Sequence, residues 1–340
     1  SSMEDSAIRE GFANLRPGAD YDGLRDAALC RAKADWLVGI NATRLFSVLY
    51  HRTLNIGRVM SPTLALIVQR EAEIATFKPV PFYTVTLELP GSSVSGERMA
   101  DKAAAQQLKT ACQGASATVK KVERKDKSEK PPALYDLTTL QRDANRLLGY
   151  TAQQTLDYLQ NLYEKKLCTY PRTDSCYLTS DMAASLPELV RFTAEALPFA
   201  AGMEISCNAA QVINDKKVTD HHAVIPTCNL QGADLSGLPV GEKAVLELVA
   251  LRLLCAVAQP YTFAETAATV ECAGAEFTAK GRTVKDHGWR ALDAAYRAGL
   301  KNAESDKETE DKALPELMEG QSLPLSGAAV KEGKTTPPKH

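Results

Sequence analysis

The sequence has no excess of positive charge and no long apolar run. Its 340 residues include 40 Lys and Arg against 42 Asp and Glu, which gives a formal net charge of -2. The broad positive field that supports indiscriminate binding to nucleic acids is therefore excluded, and any such contact must be local. No segment approaches the roughly 18 uninterrupted apolar residues of a membrane span. The opening residues SSMEDSAIREGF lack the basic and then apolar pattern of a signal peptide. We expect a cytoplasmic protein without a membrane segment.

Paired cysteines are also absent. The eight cysteines are scattered, with no Cys-x-x-Cys pair and no cluster of Cys and His at zinc-binding spacing. We expect reduced thiols and no metal site.

Hydrophobic periodicity divides the chain into four segments. Apolar residues recur at helical spacing in 1–78, which contains AALCRAKADWLVGINATRLFSVL, and again in 133–259. Alternation of period two, as in FYTVTLELP, indicates strands in 79–132, and strands return in 260–340. The polar run NAESDKETEDK at 302–312 is expected to form a surface loop. We predict a multidomain α+β fold in which a discontinuous antiparallel β domain links helical domains.

Local signals define some helix boundaries. We expect Ser61 to be an N-cap, with Pro62 at the first helical position. Thr151 and Gln154 form a capping box for the second helix of a helix-turn-helix unit, and the strand-like LCTYPR follows as a wing.

The segment EKKLCTYPRTDS places a tyrosine and an arginine two residues apart. In an extended chain this spacing directs the side chains of Tyr170 and Arg172 to the same side. A tyrosine hydroxyl, whose ordinary pKa is about 10, is a weak nucleophile at neutral pH. A nearby guanidinium would favour the phenolate and bind a phosphate oxygen. The alternative is that Tyr170 is an ordinary tyrosine of a half-buried strand.

Longer blocks carry a resemblance to a known family. KPPALYDLTTLQRDANRLLGYTAQQTLDYLQNLYEKKLCTYPRTDS is similar, almost residue by residue, to the active-tyrosine region of the bacterial topoisomerase III branch of type IA DNA topoisomerases. VTDHHAVIPT, RAKADWLVGINATR, LNIGRVMSPTLALIVQRE and TAKGRTVKDHGWRALD resemble further blocks of that family. The resemblance runs from one end of the chain to the other.

The resemblance implies transient cleavage of one DNA strand. Tyr170 would attack a phosphodiester of single-stranded DNA, forming a 5′-phosphotyrosine and releasing a 3′-hydroxyl, and Arg172 matches the family's arginine. His221 would lie near the scissile phosphate and contact DNA. For His221, a structural histidine and half of a metal site in the triplet 220–222 are the competing interpretations.

Three arginines in the first blocks would face DNA, according to the same resemblance. Arg31, Arg44 and Arg58 would meet phosphates or bases, although a solvated charged face is the alternative for each. Met60 stands where the family commonly has glutamine, which puts the preference for a base sequence in doubt.

The resemblance further implies strand passage and religation by a toroidal, four-domain enzyme. Its Mg²⁺ would be held by acids of a Toprim domain, and this chain is expected to be a fragment that starts after that domain and is monomeric. We do not assign Asp20 and Asp22 to metal, because they follow a turn-like NLRPGA and suit a capping or surface role. The fragment alone is not expected to relax DNA, and the full enzyme would be bacterial and nucleoid-associated.

Two other functions compete with this interpretation. The helix-turn-helix region could grip single-stranded DNA without chemistry, with Tyr170 stacking on a base. A tyrosine recombinase needs several Arg and His residues around its tyrosine in another order, and the blocks match that pattern poorly.

Overall fold

The chain forms two compact units in the computed structural model, which describes residues 5–200, 202–203, 205–300 and 313–339. The helical unit comprises residues 1–13, 121–268 and 279–319, and the sheet unit comprises residues 14–120, 269–278 and 320–340. The loop expected at 302–312 lies outside the described residues. Within the described ranges, no helix is long and apolar enough to cross a membrane.

The helices and strands follow the expected alternation of helical and β segments. The described helices are α1 Asp5–Ala13, α2 Asp22–Leu49, α3 Met60–Thr76, α4 Lys102–Cys112, α5 Leu137–Leu148, α6 Ala152–Glu164, α7 Leu186–Ala196, α8 Val240–Val257 and α9 Trp289–Ala298. The described strands are β1 Pro81–Leu89, β2 Ser92–Met99, β3 Ser116–Glu129, β4 Tyr261–Cys272, β5 Ala275–Asp286, β6 Ser322–Pro324 and β7 Gly327–Lys334.

One seven-stranded sheet combines strands from both β segments of the sequence. Its strand order is β6-β3-β4-β5-β2-β1-β7, and the pairs β1/β2, β1/β7, β2/β5 and β3/β6 are antiparallel. Strands β3, β4 and β5 pass from one unit into the other. The predicted α+β fold with a discontinuous β domain is confirmed.

Two helices lie where we expected only strands. α4 begins after Asp101, whose side chain accepts a hydrogen bond from the Ala103 N–H, and it contains the alanine run KAAAQQLKTAC. Both features favour a helix and were present in the sequence. α9 follows β5 with Gly288 as its N-cap. These helices correct the expectation of unbroken β segments.

Ser61 does not act as the N-cap that the sequence suggested. α3 begins at Met60, two residues before the expected Pro62, and its N-cap is Val59. The Ser61 hydroxyl instead accepts a hydrogen bond from the Gly57 N–H at 3.1 Å. The expectation was wrong because this hydroxyl satisfies a donor of the preceding turn rather than one in the helix.

The core of the helical unit is built around α8. Twelve of its 18 residues are buried, among them Leu248, Val249 and Leu253. A helix that is buried on most sides must be surrounded by other elements. α5, α6, α7 and α9 all contact α8. The segment that contains Tyr170 follows α6, which is well packed, since its Leu159 and Leu162 are fully buried.

The predicted helix-turn-helix unit is present as α5 and α6. α5 ends at Leu148, and its C-cap Gly149 has a φ of 73°. Glycine adopts this left-handed conformation without the strain that a side chain would cause. Thr151 and Gln154 form both hydrogen bonds of the capping box at the start of α6. The direction in which α6 leads toward Tyr170 is thus set by the turn and the cap.

The sheet unit is packed in one part and open in another. Val85, Leu87 and Phe277 of the strands are buried, and α4 contacts β1, β2 and β7. By contrast, α2 and α3 contain no buried residue, and Trp36 of α2 is 62% exposed. Within the described residues, α2 and α3 are thus not packed into a core.

We predict that Gly288→Ala destabilises the helical unit. Gly288 has a φ of 46°, and a Cβ there would overlap the carbonyl oxygens of Gln259 and Pro260. The strain and the overlap should lower the free energy of unfolding by about 2 kcal/mol, measured by urea denaturation. Gly237→Ala is the matched control, since a Cβ at Gly237 meets nothing within 4 Å. If the two substitutions lowered the free energy of unfolding equally, the close contacts of Gly288 with Gln259 and Pro260 would be contradicted.

Candidate active site

The residues around Tyr170 form an extended segment that pairs with a second one. We call residues 167–173 the tyrosine segment and residues 221–227 the histidine segment. After α6 the chain turns at Lys166, which has a φ of 61°. The Thr169 N–H then donates to the Ile225 carbonyl at 3.0 Å, and an antiparallel bridge lies one residue away on each segment. The strand-like character expected of LCTYPR is present.

Tyr170 and His221 lie side by side as a result of this pairing. Their ring centroids are 4.3 Å apart, with 40° between the ring planes. The Tyr163 ring of α6 meets the Tyr170 ring edge to face at 5.5 Å. Both Tyr170 and His221 are half-buried. The phenol is thus packed on two sides while its ring retains some access to solvent.

Arg172 is exposed, and its side chain contacts α6, the helix that the Tyr170 ring also contacts. Its Nη1 donates to Oε1 of Gln160 at 3.3 Å. Gln160 and Tyr163 are three residues apart on α6, so they share one face of that helix. The Tyr170 and Arg172 side chains therefore both approach this face of α6, as their two-residue spacing predicts. An exposed guanidinium of this kind is accessible to an anionic ligand.

The two histidines of the triplet have different surroundings. Burial lowers the pKa of His221 below its ordinary value, while the charge of Asp220 acts in the opposite direction. Burial also lowers the pKa of His222, and Nδ1 of His222 lies 2.8 Å from the Ala223 carbonyl oxygen. That contact requires a proton on Nδ1 of His222, since a carbonyl oxygen can only accept. The His222 ring is therefore engaged with the backbone of the next residue, Ala223.

Acidic residues do not gather into a metal site in the part of the chain that the structure describes. No group of three or more His, Cys, Asp or Glu residues is placed to hold an ion there. Asp20 lies in the short 3-10 helix Gly18–Tyr21, and Asp22 is the first residue of α2, where it pairs with Arg25 at 2.9 Å. Asp22 thus sits at a helix N-terminus, where a negative charge is favourable.

The three arginines that were expected to contact DNA besides Arg172 lie in the sheet unit. Arg31 and Arg44 are exposed on α2, and Arg58 precedes α3. Arg58 pairs with Asp35, whose carboxylate it contacts with two nitrogens, and this hydrogen bond lowers the pKa of Asp35. The Arg58 guanidinium is therefore oriented by Asp35, whereas Tyr170, Arg172 and His221 belong to the helical unit.

Comparison with known proteins decides the family. Residues 19–340 match the family model described as DNA topoisomerase. The chain belongs to this family. It is 37% identical to DNA topoisomerase 3 of Bacillus licheniformis and 38% identical to that of Bacillus subtilis, in each case over 99% of this chain and 47% of the relative. The expected resemblance to bacterial topoisomerase III, a type IA enzyme, is confirmed.

A solved structure supports the fold independently. Full-length topoisomerase I from Thermotoga maritima matches with a TM-score of 0.77 and 22% identity, covering 100% of this chain and 55% of that one. At this level of identity the match shows the architecture alone. The chain spans about half the length of the curated topoisomerase relatives that it matches, at 47% of each. This topoisomerase chain thus has the fold of a core region of such enzymes.

Sequence reasoning missed the threonines that connect the two segments. The Thr169 hydroxyl donates to the Ala223 carbonyl at 3.1 Å, and the Thr173 hydroxyl donates to the His221 carbonyl at 2.9 Å. The two threonines flank Tyr170 and Arg172 in the sequence. Their bonds join positions about 50 residues apart, so only the tertiary structure reveals them.

We predict that His221 is neutral at pH 7 when no DNA is bound. Burial lowers its pKa below 6.5, so its protonation should occur on the acidic side of that value. An NMR titration of the histidine ring protons measures this, with His221→Gln assigning the signal. A midpoint for His221 at or above 6.5 would contradict the prediction.

Proposed function

We propose that the complete protein is a type IA DNA topoisomerase that cuts one strand of DNA through Tyr170. The observation that carries this proposal is the contact of the Tyr170 ring with the His221 ring at 4.3 Å, with Arg172 along the same face of α6. A phenol, an imidazole and a guanidinium form a set that can attack a phosphodiester and stabilise the charge that develops on it. The names of the bacterial relatives support the same activity.

The proposed chemistry exchanges one phosphoester for another. The Tyr170 oxygen loses its proton to solvent and bonds to the phosphorus, while the bond from phosphorus to the 3′-oxygen breaks. The released 3′-oxygen takes up a proton and becomes a hydroxyl, and the 5′-phosphate stays on Tyr170. Resealing reverses these steps, so the cycle consumes no ATP. Arg172 would bind a phosphate oxygen throughout and stabilise the charge that develops on it.

His221 would contact the phosphate next to the phenol. Because burial lowers its pKa, the imidazole is mainly neutral at pH 7 before DNA binds. A phosphate beside it would favour the protonated form and raise that pKa. Binding of the scissile phosphate would thus be accompanied by proton uptake at His221, which gives the cleavage step a dependence on pH near neutrality.

The rest of the activity belongs to the complete protein. Mg²⁺ would be held by acids outside these 340 residues and would help to position the DNA and its 3′-hydroxyl. We further propose that the substrate is unpaired DNA, that the enzyme acts as a monomer and that it works in the bacterial cytoplasm, associated with the nucleoid. The 340 residues alone should not carry out full relaxation.

We predict that Tyr170→Phe abolishes the covalent adduct. The complete protein is incubated with a labelled single-stranded oligonucleotide and Mg²⁺, denatured, and analysed by gel electrophoresis. The unchanged protein should give a covalent adduct, and Tyr170→Phe should give none, because the nucleophilic oxygen is gone. Tyr163→Phe is the matched control, since it removes a hydroxyl from the neighbouring ring. An adduct that persists in Tyr170→Phe would contradict the assignment of Tyr170 as the nucleophile. If the unchanged protein bound the oligonucleotide without forming an adduct, the non-catalytic DNA-binding alternative would be favoured.

We also predict that Arg44→Ala weakens DNA binding in a manner that depends on salt. Each phosphate contact that is lost should reduce the slope of log affinity against log salt by about 0.7 for a single strand. Fluorescence anisotropy with a labelled oligonucleotide at several salt concentrations gives this slope. The control is Arg191→Ala, because Arg191 is exposed but pairs with Glu195 on α7. Unchanged slopes for Arg44→Ala would place Arg44 away from the DNA.

A further inference from the structure

The first threonine beside Tyr170 connects the two segments through its side chain. Thr169 is 3% exposed. Its hydroxyl donates to the Ala223 carbonyl at 3.1 Å and accepts a hydrogen bond from the Ile225 N–H at 3.0 Å. A hydroxyl has one donor hydrogen and can accept as well, so both functions of this group are used. Thr169 therefore fixes two backbone groups of the histidine segment.

The second threonine makes the connection on the other side of Tyr170. Thr173 is 8% exposed. Its hydroxyl donates to the carbonyl of His221 itself at 2.9 Å and accepts from the Ser175 N–H at 3.1 Å. The backbone position of His221 is thus tied directly to the tyrosine segment.

Pro171 explains why side chains are needed for this connection. It lies between Tyr170 and Arg172 and has no N–H, so the backbone ladder formed by Leu167 and Thr169 cannot continue regularly past Tyr170. The chain beyond Tyr170 meets the histidine segment again at the Ala223 N–H, which donates to the Tyr177 carbonyl at 2.9 Å. Before that bond, and two residues after the proline, the Thr173 hydroxyl holds the carbonyl of His221 itself.

We propose that Thr169 and Thr173 are positioning residues, which hold the Tyr170 phenol and the His221 imidazole at the distance required for cleavage. The proposal rests on the proposed function of Tyr170. Both threonines act through the backbone and need not touch the DNA. Reaction rates depend steeply on such placement, since a misplacement of about 1 Å can cost on the order of 100-fold.

The test compares isosteric and conservative variants of the complete protein. Thr173→Val removes the hydroxyl but keeps the shape of the side chain, and Thr173→Ser keeps the hydroxyl. With a single-stranded oligonucleotide and Mg²⁺, we expect Thr173→Val to slow single-turnover adduct formation by about 10- to 100-fold, with the Kd for the oligonucleotide unchanged within about twofold. Thr173→Ser should restore most of the rate. Thr169→Val and Thr169→Ser should behave in the same way.

A double-mutant cycle separates positioning from mere stabilisation. If Thr173 acts by holding His221, Thr173→Val should cost much less in a His221→Gln background than in the unchanged protein. Equal costs in both backgrounds would overturn the proposal, and so would a loss of affinity that matches the loss of rate. Melting temperatures identify variants that do not fold, and the Thr173 series decides the matter if Thr169→Val is one of them.

The result for the unchanged protein keeps the two proposals distinct. If it forms the adduct and Thr173→Val forms it at the same rate, only the positioning role is wrong. If the unchanged protein forms no adduct, the proposed function fails, and the positioning role fails with it.

Discussion

The antiparallel pairing of the tyrosine segment with the histidine segment is the constraint on which the candidate site depends. Tyr170 and His221 are 51 positions apart in the sequence, and hydrogen bonds between these two segments bring their rings together. Backbone groups buried in this way must be paired, since an unpaired buried N–H or C=O costs about 1–3 kcal/mol. The register is therefore specified strongly, and with it the side of the pair on which the phenol and the imidazole meet.

The core behind the pairing fixes the helix from which the tyrosine segment emerges. Glu242 at the start of α8 is 4% exposed, yet Lys165 and Asn161 at the end of α6 both bind its carboxylate. A buried carboxylate is tolerated only when it is paired and hydrogen-bonded in this manner. Because these contacts join the two helices where α6 ends, the turn that leads to Tyr170 starts from a defined point.

Much of the fold and part of the site could be predicted from the sequence. The periodicity predicted the alternation of helices and strands, and the spacing of Tyr170 and Arg172 predicted that their side chains approach a common surface. Helices α4 and α9 were not predicted. The sequence of α4 has a good N-cap and an alanine run, but the alternation in the strands on either side favoured a β segment throughout. The hydrogen bonds from the Thr169 and Thr173 hydroxyls could not be predicted. In a sequence, a threonine that donates to a distant carbonyl cannot be distinguished from any other threonine.

Identification of the amino acid, if any, that becomes attached to DNA tests the account most directly. The complete protein is trapped as its covalent adduct with a single-stranded oligonucleotide, digested with trypsin and nuclease, and analysed by mass spectrometry. A 5′-phosphorylated nucleotide should be found on the phenolic oxygen of Tyr170. The same nucleotide on another residue, such as the neighbouring Tyr163, would contradict the account.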